Sequence, residues 1–292
     1  MTHSVIYLGR PDTDTCSNAP FTYCFIGNFL FTKESCYVIN ARMNETIKSY
    51  ADFASHKRIG ELIKSYSENK EDIRDIAKHE IKWNKILAVL DLGCGYGWFE
   101  EALGNRFDLV YGIDCLAENE EGFLRVAKSI AKKAIFKQAR LPLPIEMPSE
   151  SFDLIVSAYS LYFFPEIIPE AKRLLCPDGT FLIITHSESM LKEGEEFFDF
   201  SNLSEVIKKF SAENGGAALK KHFSRVISIN YPNNLLFKKD DAVQLAQYID
   251  FKKEFISIDI SPEVVRQRML EELKKNGNVK LNKDDRIFIA KK

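Results

Sequence analysis

Three glycines fall within five residues of the segment VLDLGCGYGWFEEAL, which runs from Val89 to Leu103. Gly93, Gly95 and Gly97 follow an apolar run that ends in an acid, Asp91. Glycine admits positive φ and lets a ligand come close to the backbone. A helix beginning after such a turn offers unpaired N–H groups at its start. These residue types at this spacing make a cradle for a polar ligand. The loop ends Gly97-Trp98-Phe99, not Gly-Lys-Ser/Thr, so it is no P-loop. Trp98 stands where the dinucleotide fingerprint requires a third small residue. Asp91 beside the glycines would repel a pyrophosphate and suits a positively charged ligand, an ammonium or a sulfonium. A second acid, Asp114, closes the run YGID seventeen residues after Gly97 and is placed to accept both hydroxyls of a ribose. His186 ends the run FLIITH and is the candidate general base, with Tyr159 beside the same edge. His56 and His222 are weaker candidates for that role.

Such residues need a scaffold that brings strand ends together. ILAVLDL reads as a short buried strand, FDLVYGID as a second, AIFKQA as a third, SFDLIVSAYS as a fourth and FLIITH as a fifth. GWFEEALG, ENEEGFLRVAKSIAKK and PEIIPEAKRLL read as helices between them, and PDGT as a turn. This alternation implies a parallel sheet with helices on both faces, whose ligands bind beyond the carboxyl ends of the strands. After His186, helices are expected at Leu203 to Phe210, Asp240 to Ile249 and Pro262 to Lys275, and strands at RVISINY and RIFIAKK. ENGGAALKK, Glu213 to Lys221, reads as a flexible joint. Before the sheet, Ala19 to Ala41 is an aromatic arm or strand pair broken at Gly27-Asn28, and helical spacing begins near Asn44 as N-cap. The division is then residues 1–43, an N-terminal arm; 44–84, a helical lid; 85–188, the α/β core; and 189–292, a cap with the last strands of the sheet.

The totals exclude several classes. The 292 residues carry a net charge of −2, with no global basic field of the kind that accompanies nucleic-acid binding. The best basic run, Lys128 to Lys137, reads as a solvated helix face. The six cysteines form no CxxC pair and no zinc-like grouping with histidine, so no metal site is expected. No run is apolar enough to span a bilayer, and the start of the chain lacks the pattern of a signal peptide. A cytoplasmic protein with no membrane partner is the simplest expectation.

At LDLGCGYG the sequence resembles the class I S-adenosylmethionine (SAM) dependent methyltransferases, with GID similar to the acidic end of their second strand. ARLPLPIEMPSESFDLIVSAYSLYFF and AKRLLCPDGTFLII resemble their small-molecule, ubiquinone/menaquinone-biosynthesis-like branch. The resemblance covers Ile86 to His186 and extends more weakly to INYPNNLLFKKDDAVQLAQYI. It implies a Rossmann-like, doubly wound, mostly parallel seven-stranded α/β sheet with an N-terminal arm and a C-terminal cap insertion. It implies SAM as cofactor and S-adenosylhomocysteine (SAH) as product. Asp91, Gly93, Cys94, Gly95 and Gly97 would then hold the methionine portion, Asp114 the ribose, and Cys115 and Leu116 the adenine. Gln138 and Ala139 fall where many members place Asp-Ala against the adenine amine. Ser157 would face the reacting methyl. Asp178 replaces a glycine common in the family's turn, a change expected to matter little because Gly179 remains.

Methyl transfer is a direct displacement, so the protein chiefly aligns the reacting atoms and excludes water. The reading is O- or N-methylation of a small-molecule acceptor. Alternatives are a nucleic-acid methyltransferase, against which SAYS at the end of the fourth strand argues; a non-catalytic SAM-binding regulator; and an aminopropyl transferase, which would want a further acidic pair.

Overall fold

The computed structural model describes residues 23–26, 29–32, 53–104, 107–196, 199–252 and 261–292. The chain divides into two compact units, Met1–Ile47 and Lys48–Lys292. In the first, β1 (Tyr23–Ile26) and β2 (Phe29–Thr32) pair antiparallel, with Ile26 opposite Phe29. The rest of the expected arm, and Asn44, lie outside the described residues.

The second unit is built on a seven-stranded sheet of β3 (Ala88–Leu92), β4 (Phe107–Asp114), β5 (Ala131–Gln138), β6 (Phe152–Ala158), β7 (Leu175–His186), β8 (Arg225–Tyr231) and β11 (Asp285–Lys291). Their order is β5-β4-β3-β6-β7-β11-β8. The run from β5 to β7 is parallel, and β11 is antiparallel to both its neighbours. The chain winds outward from β3 to β5, then returns to β6 on the other side of β3. That reversal opens a crevice beyond the carboxyl ends of β3 and β6.

Alternation along each strand sorts the core into two layers. Leu90, Ile113, Ile155, Ile183 and Phe288 face the layer that holds α4 (Ile168–Leu174) and α6 (Gly215–Lys220). Val89, Val110, Leu154, Leu182 and Ile287 face α2 (Ile73–His79) and α3 (Glu120–Ile130). Each such fully buried side chain contributes about 1.5–3 kcal/mol of burial free energy. A third cluster is formed by α1 (Phe53–Tyr66), α5 (Ser201–Ile207), α7 (Ala242–Lys252), α8 (Pro262–Asn276) and the antiparallel pair of β9 (Asn234–Lys238) with β10 (Asn278–Asn282). Among the described residues, no helix is long and apolar enough to cross a membrane.

Several expectations change. The segment after Gly97 is not a regular helix: one helical bond, Glu101 N to Gly97 O, leads into a 3-10 turn at Glu100–Ala102. Two side chains of α2 account for this. Arg74 Nη1 and Lys78 Nζ donate to the carbonyls of Trp98 and Ala102, each at 2.7 Å, taking acceptors that a continued helix would use. The expected third strand begins three residues early, at Ala131. Lys132 and Lys133 therefore lie exposed on the edge strand β5, where charge opposes pairing with another chain. In the PDGT turn, the left-handed residue is Asp178 (φ 63), not Gly179; Gly179 is needed because a Cβ there would meet Cys176 O at 2.8 Å.

The expected joint at Glu213 to Lys221 is instead packed helix α6. A Cβ at Gly215 would stand 2.7 Å from Phe288 and 2.8 Å from Phe210, so glycine lets the helix lie close to the sheet. Gly215→Ala should therefore lower the urea midpoint, by the equivalent of about 1–3 kcal/mol of overpacking. Gly216→Ala meets nothing nearer than Phe288 at 3.4 Å. It should raise stability by about 0.5–1 kcal/mol through helix propensity alone.

Candidate active site

The glycine turn is folded by its own backbone and by one carboxylate. Gly93 N and Cys94 N donate to Ile113 O at 2.8 and 3.1 Å, and Gly97 N donates to Cys94 O at 3.0 Å. Gly93, Gly95 and Gly97 have φ of 75, 51 and 87°. Asp114 Oδ2 accepts from Gly95 N at 2.9 Å, and its Oδ1 accepts from Leu116 N at 2.9 Å and Asn119 Nδ2 at 3.2 Å. A carboxylate offers roughly four acceptor positions. Asp114 has thus committed one of them to the glycine turn and two to the segment after β4, which leaves about one position for a further donor.

Asp91, near the end of β3, pairs in register with Gly112 and Val156, and is 2% exposed. Its Oδ1 receives no hydrogen bond from any donor. Burial first, then the nearby carboxyls of Glu100 and Asp114, raise its pKa well above the usual carboxylate value. Glu100 is fully buried beside it, although Glu-Glu after a glycine turn has the pattern of a solvated helix face.

The remaining predicted residues occupy the same edge in different ways. Ser157 is fully buried, and its hydroxyl is spent on Leu92 O at 3.2 Å and Ser160 Oγ at 2.6 Å. Ser160 itself donates to Leu92 O at 2.6 Å, so the two serines lock the end of β6 to that of β3 rather than facing outward. Cys115 and Leu116 are half-buried. Gln138 Nε2 donates to Cys115 O at 3.3 Å, and Ala139 N donates to Asp114 O at 2.8 Å. Cys115, Leu116, Gln138 and Ala139 therefore cluster at the tips of β4 and β5. Cys94 is a buried thiol whose pKa is raised by burial and by Asp91, Asp114 and Glu100.

At the other end of the crevice, β7 and β11 place His186 directly opposite Asp285. His186 Nδ1 lies 2.7 Å from Asp285 Oδ1. Asp285 Oδ2 accepts from Lys283 Nζ and from the Tyr159 hydroxyl, each at 2.7 Å. His186, Lys283 and Asp285 are buried, and the Tyr159 ring stacks on the imidazole at 4.6 Å between centroids. Burial, then the Lys283 ammonium, lowers the His186 pKa to about 4 against the opposing pull of Asp285. Burial pushes the Asp285 carboxyl up, but Lys283 and His186 outweigh it and the net shift is downward. The ring is therefore neutral near pH 7. With Nδ1–H given to the carboxylate, its Nε2 is left as the basic atom. Asp285 and Lys283 could not be found from sequence, since nearly a hundred residues separate them from His186 and only strand pairing joins them.

Other elements converge here too. Tyr96, in the glycine turn, meets His56 of α1 edge-on at 5.3 Å. The Arg74 guanidinium stacks 4.7 Å from the Trp98 ring, which in turn contacts Tyr159 at 5.5 Å. Lys252, the buried last residue of α7, has its pKa lowered to about 7 by burial and by Lys283. His222, by contrast, takes no part in these contacts; its amide caps the end of α6 by donating to Leu219 O.

A model of the methyltransferase domain family matches residues 90–183, which span the glycine turn and most of the parallel sheet. No curated protein sequence matches the chain. Among solved structures, a protein of Bacillus halodurans provisionally named a methyltransferase aligns at 12% identity over 75% of this chain and 98% of its own, with a TM-score of 0.52. The YcgJ protein of Bacillus subtilis aligns at 19% identity over 74% and 97%, with a TM-score of 0.48. A SAM-dependent methyltransferase of Aquifex aeolicus aligns at 22% identity over 48% and 75%, with a TM-score of 0.36. The fold is that of the class I SAM-dependent methyltransferases.

The lowered histidine pKa has a consequence for stability. Between pH 6.5 and about 4 the unfolded chain takes up a proton on His186 that the folded protein refuses. Stability is thus fully present above pH 6.5 and falls as the pH drops toward 4, by on the order of 3 kcal/mol for this ring. His56, lowered to about 4 chiefly by burial, adds to the same slope. Urea unfolding at stepped pH should show the decline, and His186→Gln, which cannot titrate, should flatten it.

Proposed function

We propose that this chain is a SAM-dependent methyltransferase that delivers a methyl group to a hydroxyl of a small metabolite, with His186 as the general base. The observation that carries the reading is the Asp285–His186 pair, at 2.7 Å, on the same sheet edge as the glycine turn. A scaffold histidine needs no orienting carboxylate, whereas a base needs its tautomer fixed.

The turn fits the cofactor. A Cβ on Gly95 would meet no atom within 4 Å, so there is open space against backbone held at positive φ. Asp91 offers a buried, unpartnered oxygen to a cationic group. Asp114 keeps one acceptor position for a ribose hydroxyl, and Gln138 and Ala139 border the place of the adenine. SAM, when bound there, supplies a methyl group already activated on a sulfonium.

The protein's part is alignment, proton removal and exclusion of water. Asp285 holds the imidazole by Nδ1–H, and Tyr159 and Tyr162 pack flat against the ring, both at an interplanar angle of 25°. Nε2 then accepts the acceptor's hydroxyl proton as the new C–O bond forms. A base with a pKa near 4 suits an acidic hydroxyl, a phenol or an enol, better than an aliphatic alcohol. The Lys283 ammonium beside it favours the resulting anion. The apolar cluster of α1, α7 and α8 supplies the wall that excludes solvent.

Four outcomes are expected. SAH should raise the melting temperature of the purified protein, because a ligand selective for the folded state stabilises it. Asp114→Ala should remove most of that shift, and no shift in the unaltered protein ends the cofactor reading. With methyl-labelled SAM and a metabolite extract, label should enter the low-mass fraction rather than RNA or DNA. His186→Ala should slow that transfer by roughly 10²–10⁴-fold while leaving the SAH-induced shift intact. Label in nucleic acid would favour the alternative substrate class.

A further inference from the structure

The scheme above uses Asp91 alone and gives no part to Glu100, the second buried carboxyl under the glycine turn. Glu100 is fully buried and Asp91 nearly so. Neither oxygen of Glu100, nor Oδ1 of Asp91, is reached by a donor from any other residue. Neither acid is in an ion pair among the described residues. The two carboxyls are within hydrogen-bonding reach of each other, which is favourable only when one of them carries a proton. The charged and titratable groups that face them are Asp114, at the tip of β4, and the Cys94 thiol in the turn. Both are acidic groups, and no lysine, arginine or histidine adds an opposing charge.

An ion-free buried acid pair is costly, since an uncompensated charge in the interior is strongly disfavoured. A sequence that merely needed to fill this space would use a small hydroxyl or an apolar residue. We propose that Glu100 and Asp91 together form a cation receptor that holds one proton when the turn is empty and surrenders it to the buffer when the ammonium of the cofactor's methionine portion settles beside Asp91. This deepens the cofactor reading above and rests on it. Asp91 is the residue that meets the ligand; Glu100 acts through Asp91.

The proton balance is simple. The empty pair carries one shared proton and one negative charge. The bound pair carries two negative charges against the incoming ammonium, and the proton leaves for solvent. Burial lifts the Glu100 carboxyl to about 7, and burial with the neighbouring carboxyls lifts Asp91 well above its usual value, so the pair as a whole still holds a proton at neutral pH. Because the empty state is the more protonated one, ligand affinity rises with pH and levels off above the pair's own titration. His186 and His56, both lowered to about 4, stay neutral in this window. Lys252, lowered to about 7, is the other group that could release a proton.

The test is titration calorimetry with SAH in phosphate, imidazole and Tris at the same pH, which reads proton release from the dependence of heat on the buffer. Release of roughly one proton is expected at pH 7, and affinity should rise from pH 6 to pH 8 by up to about tenfold per pH unit. 5′-Methylthioadenosine, which lacks the ammonium, should bind with no release and no pH dependence. In Glu100→Gln, whose amide can donate to an ionised Asp91, release should vanish, and affinity for SAH should match the unaltered protein at pH 6 but fall below it at pH 8. SAH binding with no proton release, or release undiminished in Glu100→Gln (the Lys252 outcome), overturns the proposal. If that variant does not fold, the contrast between SAH and methylthioadenosine across pH decides alone. Failure of SAH to bind at any pH is a different result: it removes the cofactor reading, and this inference with it.

Discussion

The hydrogen bond from Gly95 N to Asp114 Oδ2, 2.9 Å long, is the constraint on which the crevice depends. Three residues at positive φ cannot hold a single conformation by themselves, since glycine gives up more backbone entropy on ordering than any other residue. The clasp supplies the missing restraint by tying the turn after β3 to the tip of β4. It works because β3 and β4 are in register, with Asp91 beside Gly112 and Leu92 beside Ile113. Gly112 is itself required: a Cβ there would overlap Phe123 at 2.4 Å and Cys94 Sγ at 2.6 Å. One buried carboxylate thus shapes the cradle before any ligand enters, and Leu116 N and Asn119 Nδ2 hold it in place by donating to its other oxygen.

Charge is divided along the sheet edge. Asp91, Glu100 and Asp114 gather at the tips of β3 and β4, while Lys283, Lys252 and His186 gather around Asp285 where β7 meets β11. Both groups are buried, so solvent screens them weakly and each is felt across the crevice. A cation is favoured at the first end. An acceptor that becomes anionic on losing its proton is favoured at the second. That polarity agrees with the proposed transfer, in which the positive charge on the methyl donor and the negative charge developing on the nucleophile cancel as the bond forms.

The local part of this arrangement was legible in the sequence and the long-range part was not. Asp91, the three glycines and Asp114 occupy adjacent strands, and their spacing alone fixes their geometry once a parallel pair is assumed. His186 ends β7, so its place at the carboxyl edge of the sheet follows from its terminating a strand. Its partners Lys283 and Asp285 respectively precede and begin the last strand, and their arrival depends on β11 inserting antiparallel between β7 and β8. Glu100 was in plain view, but periodicity assigns a charged residue to the solvent side, and only the tightened 3-10 turn sends it inward. Ser157 shows the opposite case. A serine at a strand end reads as a ligand contact, whereas here a neighbouring carbonyl, Leu92 O, claimed its hydroxyl. Two adjacent glycines, Gly215 and Gly216, have the pattern of a linker; what Gly215 permits is close packing on Phe288.

Tyr159 shows how the halves of the site are kept in one geometry. Its φ of 58° is a conformation that costs a bulky residue on the order of 1–3 kcal/mol, and such strain persists only where the surroundings over-determine it. They do so here from four directions. Its amide donates to Ile184 O at 2.8 Å, which ties β6 to β7. Its ring lies on His186 at 4.6 Å and meets Trp98, at the end of the glycine turn, at 5.5 Å. Its hydroxyl donates to Asp285, from the far side of β7. A relaxed backbone at this position would turn the ring away and break all three side-chain contacts at once. The strained residue is therefore the mechanical link between the glycine turn and the histidine. Its burial also raises the phenol pKa well above 10, so the hydroxyl stays protonated and remains a donor to Asp285. Tyr159 is thus a brace that fixes the distance between the glycine turn and His186.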